Sequence, residues 1–240
     1  MIVSEDAVVR RPRSLPRRAV RVGGTILMAL GLLALVWGFV VWRFGDPVTG
    51  LYTRWQQRQL QTELSQVQRR YAAPAPAAGA ASASADPAAA AAAMRRQARR
   101  LRSETGRGEA LGRIRVSRIG LDMIVVNGTD RDSLVRGPGV DPRTHLPGEG
   151  QLVYIAGHRT TYGAPFAQID RLRPGDRIEL DMPYGKFVYR VSSHVIVPAD
   201  DLDRLRSRGR EEVALQACYP RFSARQRYIV YATPVKTPAS

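Results

Sequence analysis

The chain has 240 residues and a formal net charge of +16, from 37 basic and 21 acidic side chains. The basic excess is greatest in residues 1–110, which carry 17 basic and 7 acidic residues, against 20 and 14 in residues 111–240. Nucleic-acid binding needs a basic face on a recognisable module, and the sequence contains no such module. One cysteine and three dispersed histidines give no zinc-ligand spacing, and no EF-hand pattern occurs, so we predict no cofactor.

The first predicted element is a membrane-spanning helix. Residues 1–21 contain six arginines, whereas residues 22–42 contain no charged side chain. At about 1.5 Å per residue, the uncharged segment can cross a hydrocarbon core of ~30 Å. A cleaved signal peptide would have an apolar region of only about 7–15 residues, followed by small residues, so an uncleaved anchor is favoured. The positive-inside rule predicts a cytoplasmic basic tail at 1–21 and an extracellular location after residue 43.

Two segments are predicted to connect this helix to the rest of the chain. Residues 43–71 are predicted to form a helical stalk, because Leu60, Leu64 and Val67 recur at helical spacing but are too few to establish a coiled coil. Residues 72–107 comprise a disordered Ala/Pro-rich linker up to residue 93 and then a basic, helical stretch. This basic stretch lies either on anionic lipid headgroups or free in solvent.

Residues 108–240 are predicted to form a mainly β domain. Short apolar or alternating runs bounded by Gly, Pro and Asp predict strands at 113–116, 121–126, 152–157, 177–181, 186–194, 213–217 and 228–232. A short helix is predicted after Asp130. Seven or eight short strands with little helix favour a closed or nearly closed barrel.

Cys218 is the only cysteine, and it stands at the end of the apolar strand 213–217, before the turn marked by Pro220. A thiol attacks as the thiolate and needs a base or a positive neighbour to ionise. His158 stands at the end of a second apolar strand, 152–157, whereas His145 and His194 are predicted to be structural. The pattern therefore predicts a Cys–His pair; the alternative is an inert, buried thiol.

These segments resemble the sortase family of cysteine transpeptidases, with most similarity to the class E, housekeeping-type enzymes of high-GC Gram-positive bacteria. The resemblance covers about residues 112–234 and rests on the segments 157–166 and 215–218 and on Arg227 at the start of the last strand. It implies an eight-stranded β-barrel with Cys218 as nucleophile, His158 as proton donor and Arg227 as the oxyanion-stabilising cation. An arbitrary arginine at a strand end would instead form a surface ion pair.

The chain departs from the family at the residues before the cysteine. The usual Thr-Leu-x-Thr-Cys is Ala214-Leu215-Gln216-Ala217-Cys218 here, so both threonines are replaced. The resemblance implies that the residue at 217 helps to shape the substrate groove. It also implies that Asp141, in the segment 136–142, helps to read the second position of the substrate signal. Tyr162 either lines the groove or is ordinary loop packing.

The resemblance implies a membrane-anchored, outward-facing enzyme that cleaves a C-terminal sorting signal between Thr and Gly through a thioester. The signal would be Leu-Pro-x-Thr-Gly or, typically for class E, Leu-Ala-x-Thr-Gly. The expected partners are surface proteins that carry this signal, a lipid-linked peptidoglycan precursor as amine acceptor, and membrane lipid around the N-terminal helix. Two alternatives stay open: a catalytically impaired sortase-like binding module, and a cysteine peptidase that hydrolyses its substrate.

Overall fold

The computed structural model describes residues 17–44, 47–71 and 86–235, which divide into two compact units after Phe44. The described part of the first unit is one helix, α1, Arg17–Phe44. Within α1, Val20–Val40 is long and apolar enough to cross a membrane. This segment begins two residues before the predicted span 22–42, and residues 1–16 of the predicted tail lie outside the described residues.

The second unit is built around a closed barrel of eight strands, which confirms the predicted fold. The strands are β1 Ala110–Val116, β2 Leu121–Asn127, β3 Gly139–Val140, β4 Leu152–Ala156, β5 Arg177–Met182, β6 Gly185–Pro198, β7 Glu212–Tyr219 and β8 Gln226–Pro234. Their order around the barrel is β1-β2-β3-β4-β7-β8-β6-β5. The pairs β2/β3 and β4/β7 are parallel, and the other pairs are antiparallel.

One strand, β3, was not indicated by the sequence. It has only two residues, which is too short for an alternating pattern to be recognised. Its first residue must be glycine, because a Cβ atom at Gly139 would collide with the backbone carbonyl oxygen of Gly128. Three helices complete the unit: α2 Pro47–Tyr71, α3 Pro87–Glu104 and α4 Arg131–Arg136. The last is the helix predicted after Asp130, whose carboxylate accepts a hydrogen bond from the Ser133 amide.

Two apolar layers lie on opposite sides of the sheet at β7. Alternate residues of a strand point to opposite faces, and Leu215 and Ala217 accordingly belong to the main core inside the barrel. Ala214 belongs to the second layer, together with Leu152, Tyr154, Val197, Ile229 and Tyr231. Cys218 shares the strand face of Ala214 and therefore lies outside the barrel core.

Helix α2, which lies within the predicted helical stalk 43–71, packs against the barrel. Leu60 and Leu64 are fully buried in a cluster with Ala110, Ile124 and Val126 of β1 and β2. The predicted helical spacing of the two leucines is confirmed. They face the barrel because an apolar stripe of this kind is stabilised mainly by tertiary packing.

Polar contacts hold α2 in register with the barrel. The Gln57 side chain accepts a hydrogen bond from the Ile124 amide at 2.7 Å and donates to the carbonyl oxygens of Ile124 and Arg136. Arg136 donates in turn to the Glu63 carboxylate at 2.8 Å. Helix α2 thus belongs to the same compact unit as the barrel, whereas the predicted domain boundary was at residue 108.

Helix α3 also packs on the barrel. The two expectations for this basic stretch, contact with lipid headgroups or exposure to solvent, therefore do not describe it fully. Ala98 and Leu101 are buried in the main core. On the adjacent side, Arg99 and Arg102 lie 3.7 and 3.1 Å from the carboxylate of Glu149, whose side chain is only 1% exposed. The helix begins at Pro87, within the segment predicted to be disordered, whereas residues 72–85 lie outside the described residues.

We expect Leu101→Ala to destabilise the domain by about 2–5 kcal/mol, because it removes a fully buried leucine and leaves a cavity. The measurement is urea unfolding of a fragment that spans residues 47–240. Gln97→Ala is the matched control, since Gln97 is exposed on the same helix. Equal unfolding midpoints for the two variants would contradict the packing of α3.

Candidate active site

The register of β4 and β7 brings His158 and Cys218 to the same end of the barrel. Ala156 pairs with Gln216 in this parallel ladder, and the Gly157 amide donates to the Gln216 carbonyl at 3.0 Å. His158 and Cys218 each stand two residues beyond the last pair. Because paired parallel strands run side by side, His158 and Cys218 lie at the same level of the barrel.

The antiparallel ladder of β7 and β8 adds the third predicted residue. Arg227 is the direct cross-strand partner of Cys218. Directly opposite residues in an antiparallel pair have Cβ atoms about 4.5–5.5 Å apart and project to the same face. The strand pairing therefore brings a thiol, an imidazole and a guanidinium together.

All three residues line one cavity of about 240 Å³. Its floor is formed by outward-facing side chains of β4, β7 and β8, and its rim includes the short 3₁₀ helix Leu202–Leu205 in the β6–β7 connection. The remaining lining residues are Thr129, Leu134, Asp141, Arg143, Tyr154, Ala156, Gly157, Val197, Ala199, Asp201, Gln216 and Ile229. The cavity is half apolar and half polar, which suits a short peptide with mixed side chains.

Burial lowers the pKa of His158 below its ordinary value, because desolvation penalises the imidazolium. Its Nε2 atom is buried and has no hydrogen-bond partner among the described residues. Within the same part of the chain, no carboxylate forms an ion pair with this histidine. The resting imidazole is therefore neutral near pH 7 and keeps a free nitrogen for proton transfer.

We expect an NMR titration of the His158 ring to give a midpoint below about 6.5, the value of an unperturbed histidine. The unfolded state then binds the proton more readily than the folded state. The contribution of His158 to the free energy of unfolding is thus complete above pH ~6.5. It is lost as the pH falls through the pKa that His158 has in the folded protein. The same histidine in urea-unfolded protein serves as the reference, and a folded midpoint at or above that reference would contradict this environment.

The Arg227 guanidinium is held by backbone oxygens, which leaves its charge available. Its Nη1 atom donates to the carbonyls of Ala224 at 2.7 Å and Gln226 at 3.1 Å. Among the described residues no carboxylate lies within ion-pair distance of Arg227, so the surface ion pair that the sequence left open is not present there. A guanidinium in this state can donate to a substrate carbonyl oxygen or to a developing oxyanion.

Arg159 is a site residue that sequence reasoning missed. Its side chain is only 3% exposed, pairs with Asp170 at 2.9 Å, and lies 5.3 Å from the ring centroid of Tyr219. Its Nη1 atom lies 3.4 Å from the carbonyl oxygen of Cys218. Arg159 thus connects the loop after His158 to the strand end that carries the thiol. Its position next to His158 was the only sequence signal.

Asp141 lines the cavity, but both oxygens of its carboxylate already accept hydrogen bonds from neighbouring residues. Burial raises the pKa of this group, and hydrogen bonds from the Arg143 side chain and amide more than offset that effect, so that the pKa is lowered. Arg143 binds both carboxylate oxygens, at 2.9 and 2.7 Å, and Thr129 donates to one of them. The exposed group at this position is the Arg143 guanidinium, which is 60% exposed and was not predicted.

Tyr162 lies next to His158, with its ring centroid 5.0 Å from that of the imidazole. It has a left-handed backbone, φ 51°, and its amide donates to the Thr49 hydroxyl of α2 at 2.8 Å. The ring is half-buried and packs on His158, and Tyr162 is not among the residues that line the cavity.

Ala217 does not face the cavity, contrary to the predicted substrate contact. Its methyl group is fully buried in the main core, because residues 216 and 218 occupy the opposite face of β7. Within residues 17–44, 47–71 and 86–235, no three His, Cys, Asp or Glu side chains are placed to hold a metal ion together.

Residues 114–235 match the sortase domain, about half of the chain. The chain belongs to the sortase family. The match includes Cys218, His158 and Arg227, whereas α2 and α3 lie outside it. The predicted family is therefore confirmed, and the two helices that pack on the barrel are additions to the matched domain.

Individual sortases are similar over parts of their length. Sortase D of Bacillus subtilis is 34% identical over 133 residues, which cover 53% of this chain and 65% of that protein. Sortase SrtE1 of Streptomyces coelicolor is 33% identical over 92 residues, which cover 34% of this chain and 26% of that protein. The predicted similarity to class E is confirmed, and comparable similarity extends to a sortase D. The alignments span less than two thirds of both relatives.

Solved structures agree on the fold. A Clostridium perfringens Sortase D5 transpeptidase superposes with a TM-score of 0.58 at 21% identity, covering 75% of this chain and 98% of that chain. The superposition shows that the two chains share a fold. The superposed region covers more of this chain than the sortase domain match, which spans residues 114–235.

Proposed function

We propose that this sortase is a membrane-anchored cysteine transpeptidase. It cleaves a C-terminal sorting signal of the Leu-Ala/Pro-x-Thr-Gly type between Thr and Gly and transfers the protein to an amine. The observation that carries the proposal is the convergence of Cys218, His158 and Arg227 in one cavity. The three residues supply a nucleophile, a proton carrier and a cation for the oxyanion.

In the first half-reaction, His158 accepts the proton of the Cys218 thiol, and the thiolate sulfur attacks the Thr carbonyl carbon. The carbonyl oxygen becomes an oxyanion that receives hydrogen bonds from Arg227. The C–N bond to Gly then breaks. His158, protonated at this stage, gives its proton to the leaving amine. The products are a thioester on Cys218, a released Gly peptide and a neutral imidazole.

In the second half-reaction, an incoming amine attacks the thioester carbonyl, and His158 accepts the proton that the amine loses. The C–S bond breaks and the thiolate returns as leaving group. The acceptor in this proposal is the amine of a lipid-linked peptidoglycan precursor. Water as the acceptor would make the protein a peptidase, so the fate of the thioester separates transfer from hydrolysis.

The proposal includes a single-pass topology with the N-terminus inside and the catalytic domain outside. It is supported by the apolar segment Val20–Val40 and by the arginines that precede it. A substrate that is itself held in the membrane by its C-terminal signal would then meet the enzyme on the same surface.

Alanines at positions 214 and 217 replace the threonines usual in the family, and this was the reason to consider a catalytically impaired binding module. The structure weakens that reason. Both replacements are fully buried, Ala217 in the main core and Ala214 in the second apolar layer. Neither removes a group from the cavity lining. The chemistry of the site therefore does not depend on a hydroxyl at either position.

The experiment that tests the proposal uses the full chain in detergent with paired Leu-Pro-x-Thr-Gly and Leu-Ala-x-Thr-Gly peptides and a triglycine amine. Mass spectrometry of the products should show cleavage after Thr and incorporation of the amine. Cleavage without incorporation would favour the peptidase alternative. No cleavage of either peptide by folded protein would favour the inactive module.

A further inference from the structure

We propose that the first turns of α2 form a second membrane contact, in which Leu51, Tyr52 and Trp55 insert into the lipid interface and fix the orientation of the catalytic domain. These three side chains are 66%, 46% and 52% exposed. We call them the α2 aromatic patch. The Tyr52 and Trp55 rings lie against each other, with centroids 6.0 Å apart.

The patch is on the side of α2 that the barrel does not cover. Thr53, Leu60 and Leu64 are buried against the rest of the domain. At about 3.6 residues per turn, Leu51 and Trp55 point away from these buried positions. An exposed Leu and Trp on one helix face have no packing role in the folded domain, and a patch of this kind indicates a binding surface.

The position of the patch in the chain favours lipid as its partner. Only residues 41–50 separate Val40, the end of the membrane-spanning candidate, from Leu51. Tyr and Trp are the residues that concentrate at membrane–water interfaces, because their rings are apolar and their polar groups stay hydrated. The patch is therefore tethered close to the membrane–water interface, where side chains of this kind are favoured.

Charge on the same side of the helix agrees with this partner. Arg58 lies one turn beyond Trp55 on the same face, and Arg54 flanks the patch; both are exposed. Neither has a carboxylate partner among the described residues. Arginines next to an apolar patch match the phosphate groups of anionic lipid, and each contributes about 1 kcal/mol near such a surface.

A second copy of the chain is a less suitable occupant. A stable protein interface buries about 800 Å² on each partner, with about 20–30 residues a side. The α2 aromatic patch comprises three side chains and is followed along the helix face by polar and charged residues. Insertion of a few aromatic side chains among lipid headgroups needs no such area.

Membrane contact at α2 has a consequence for the active site, because α2 is held rigidly on the barrel. Gln57 fixes the helix to β2, and Thr49 accepts the hydrogen bond from the Tyr162 amide. Tyr162 packs on His158. The patch would therefore set the distance and orientation of the cavity relative to the bilayer, whatever substrate the cavity accepts.

The test uses the full chain in nanodiscs of phosphatidylcholine with phosphatidylglycerol as the anionic lipid. Of the three tryptophans, Trp37 and Trp42 are replaced by Trp37→Phe and Trp42→Phe, which leaves Trp55 as the sole tryptophan. Its emission is compared in discs of ordinary lipid and of lipid brominated near the top of the acyl chains. We expect bromolipid to remove most of the Trp55 emission.

The matched control carries Trp55→Phe and Arg69→Trp in the same background. Arg69 is exposed and shares the face of the patch, but lies 14 residues, or about 21 Å, farther along α2. Its tryptophan should keep its emission in both lipids. Incorporation into discs reports on α1 alone, so a failure of the membrane anchor is distinguishable from a failure of the patch.

Equal Trp55 emission in ordinary and brominated discs would overturn the proposal. A second outcome would also overturn the proposal. Trp55 would be shielded from an aqueous quencher only when a disc holds more than one chain, and bromination would have no effect. That result would assign the face to a second copy of the chain. Quenching of Trp55 with no quenching at position 69 is the result that supports the proposal.

Discussion

Cys218→Ala is expected to lower kcat/KM for sorting-signal peptides by about 10⁴- to 10⁶-fold, the scale on which nucleophile loss acts in other covalent proteases. No other cysteine can take over, because the chain has only one. The cavity and the barrel should remain, since the sulfur lies outside the main core. Product formation, read by mass spectrometry against wild type, measures the loss.

Two controls separate chemistry from folding in this experiment. Circular dichroism should show the same β content and unfolding midpoint for Cys218→Ala and wild type. The variant should also keep its affinity for the peptide, because the cavity lining otherwise remains. Turnover within tenfold of wild type by the alanine variant would eliminate Cys218 as nucleophile.

Arg227→Ala is expected to lower kcat by about 10²- to 10³-fold, which corresponds to the loss of one oxyanion donor worth about 2.7–4 kcal/mol. Loss of a group that acts mainly in the transition state should reduce kcat and kcat/KM together. The guanidinium is half-exposed and bonded to backbone oxygens of its own turn, so the fold should tolerate its removal. Steady-state kinetics with the preferred peptide measure the effect.

Arg225→Ala is the matched control for Arg227, because Arg225 is an exposed arginine in the same β7–β8 connection and does not line the cavity. It should retain wild-type kinetics. Arg227→Lys should recover only part of the activity, since a lysine keeps the charge but not the planar set of donors. Equal activity of Arg225→Ala and Arg227→Ala would show that Arg227 is a surface residue only.

That Cys218, His158 and Arg227 lie close together could be predicted from local sequence and from the family resemblance. Cys218 lies near the end of β7, His158 lies just beyond β4, and Arg227 lies near the start of β8. Residue type and strand position predicted the Cys–His pair, whereas the choice of Arg227 depended on the resemblance to the family. Arg159 could not be predicted, because its position depends on Asp170, which only the folded chain brings near. Arg143 was missed although its partner Asp141 is two residues away, because no sequence pattern indicates that its guanidinium lines the cavity.

The helices show what periodicity does not reveal. Leu60 and Leu64 predicted a helix and pack against β2, but periodicity did not indicate the polar contacts to β2, which come from Gln57 and backbone groups. In α3 the buried residues are Ala98 and Leu101, within a stretch that is otherwise basic. Ala217 was predicted at the groove from the resemblance to the family, yet alternation along β7 directs it into the core.

The most direct test of the account is intact-mass analysis of the full chain after brief incubation with a Leu-Ala-x-Thr-Gly peptide, first without and then with triglycine. The account predicts an adduct equal to the acyl portion ending in Thr, absent from Cys218→Ala and discharged by triglycine into a ligated peptide. A peptide that is cleaved without any adduct on wild type, or an adduct that persists in Cys218→Ala, would contradict a thioester at Cys218.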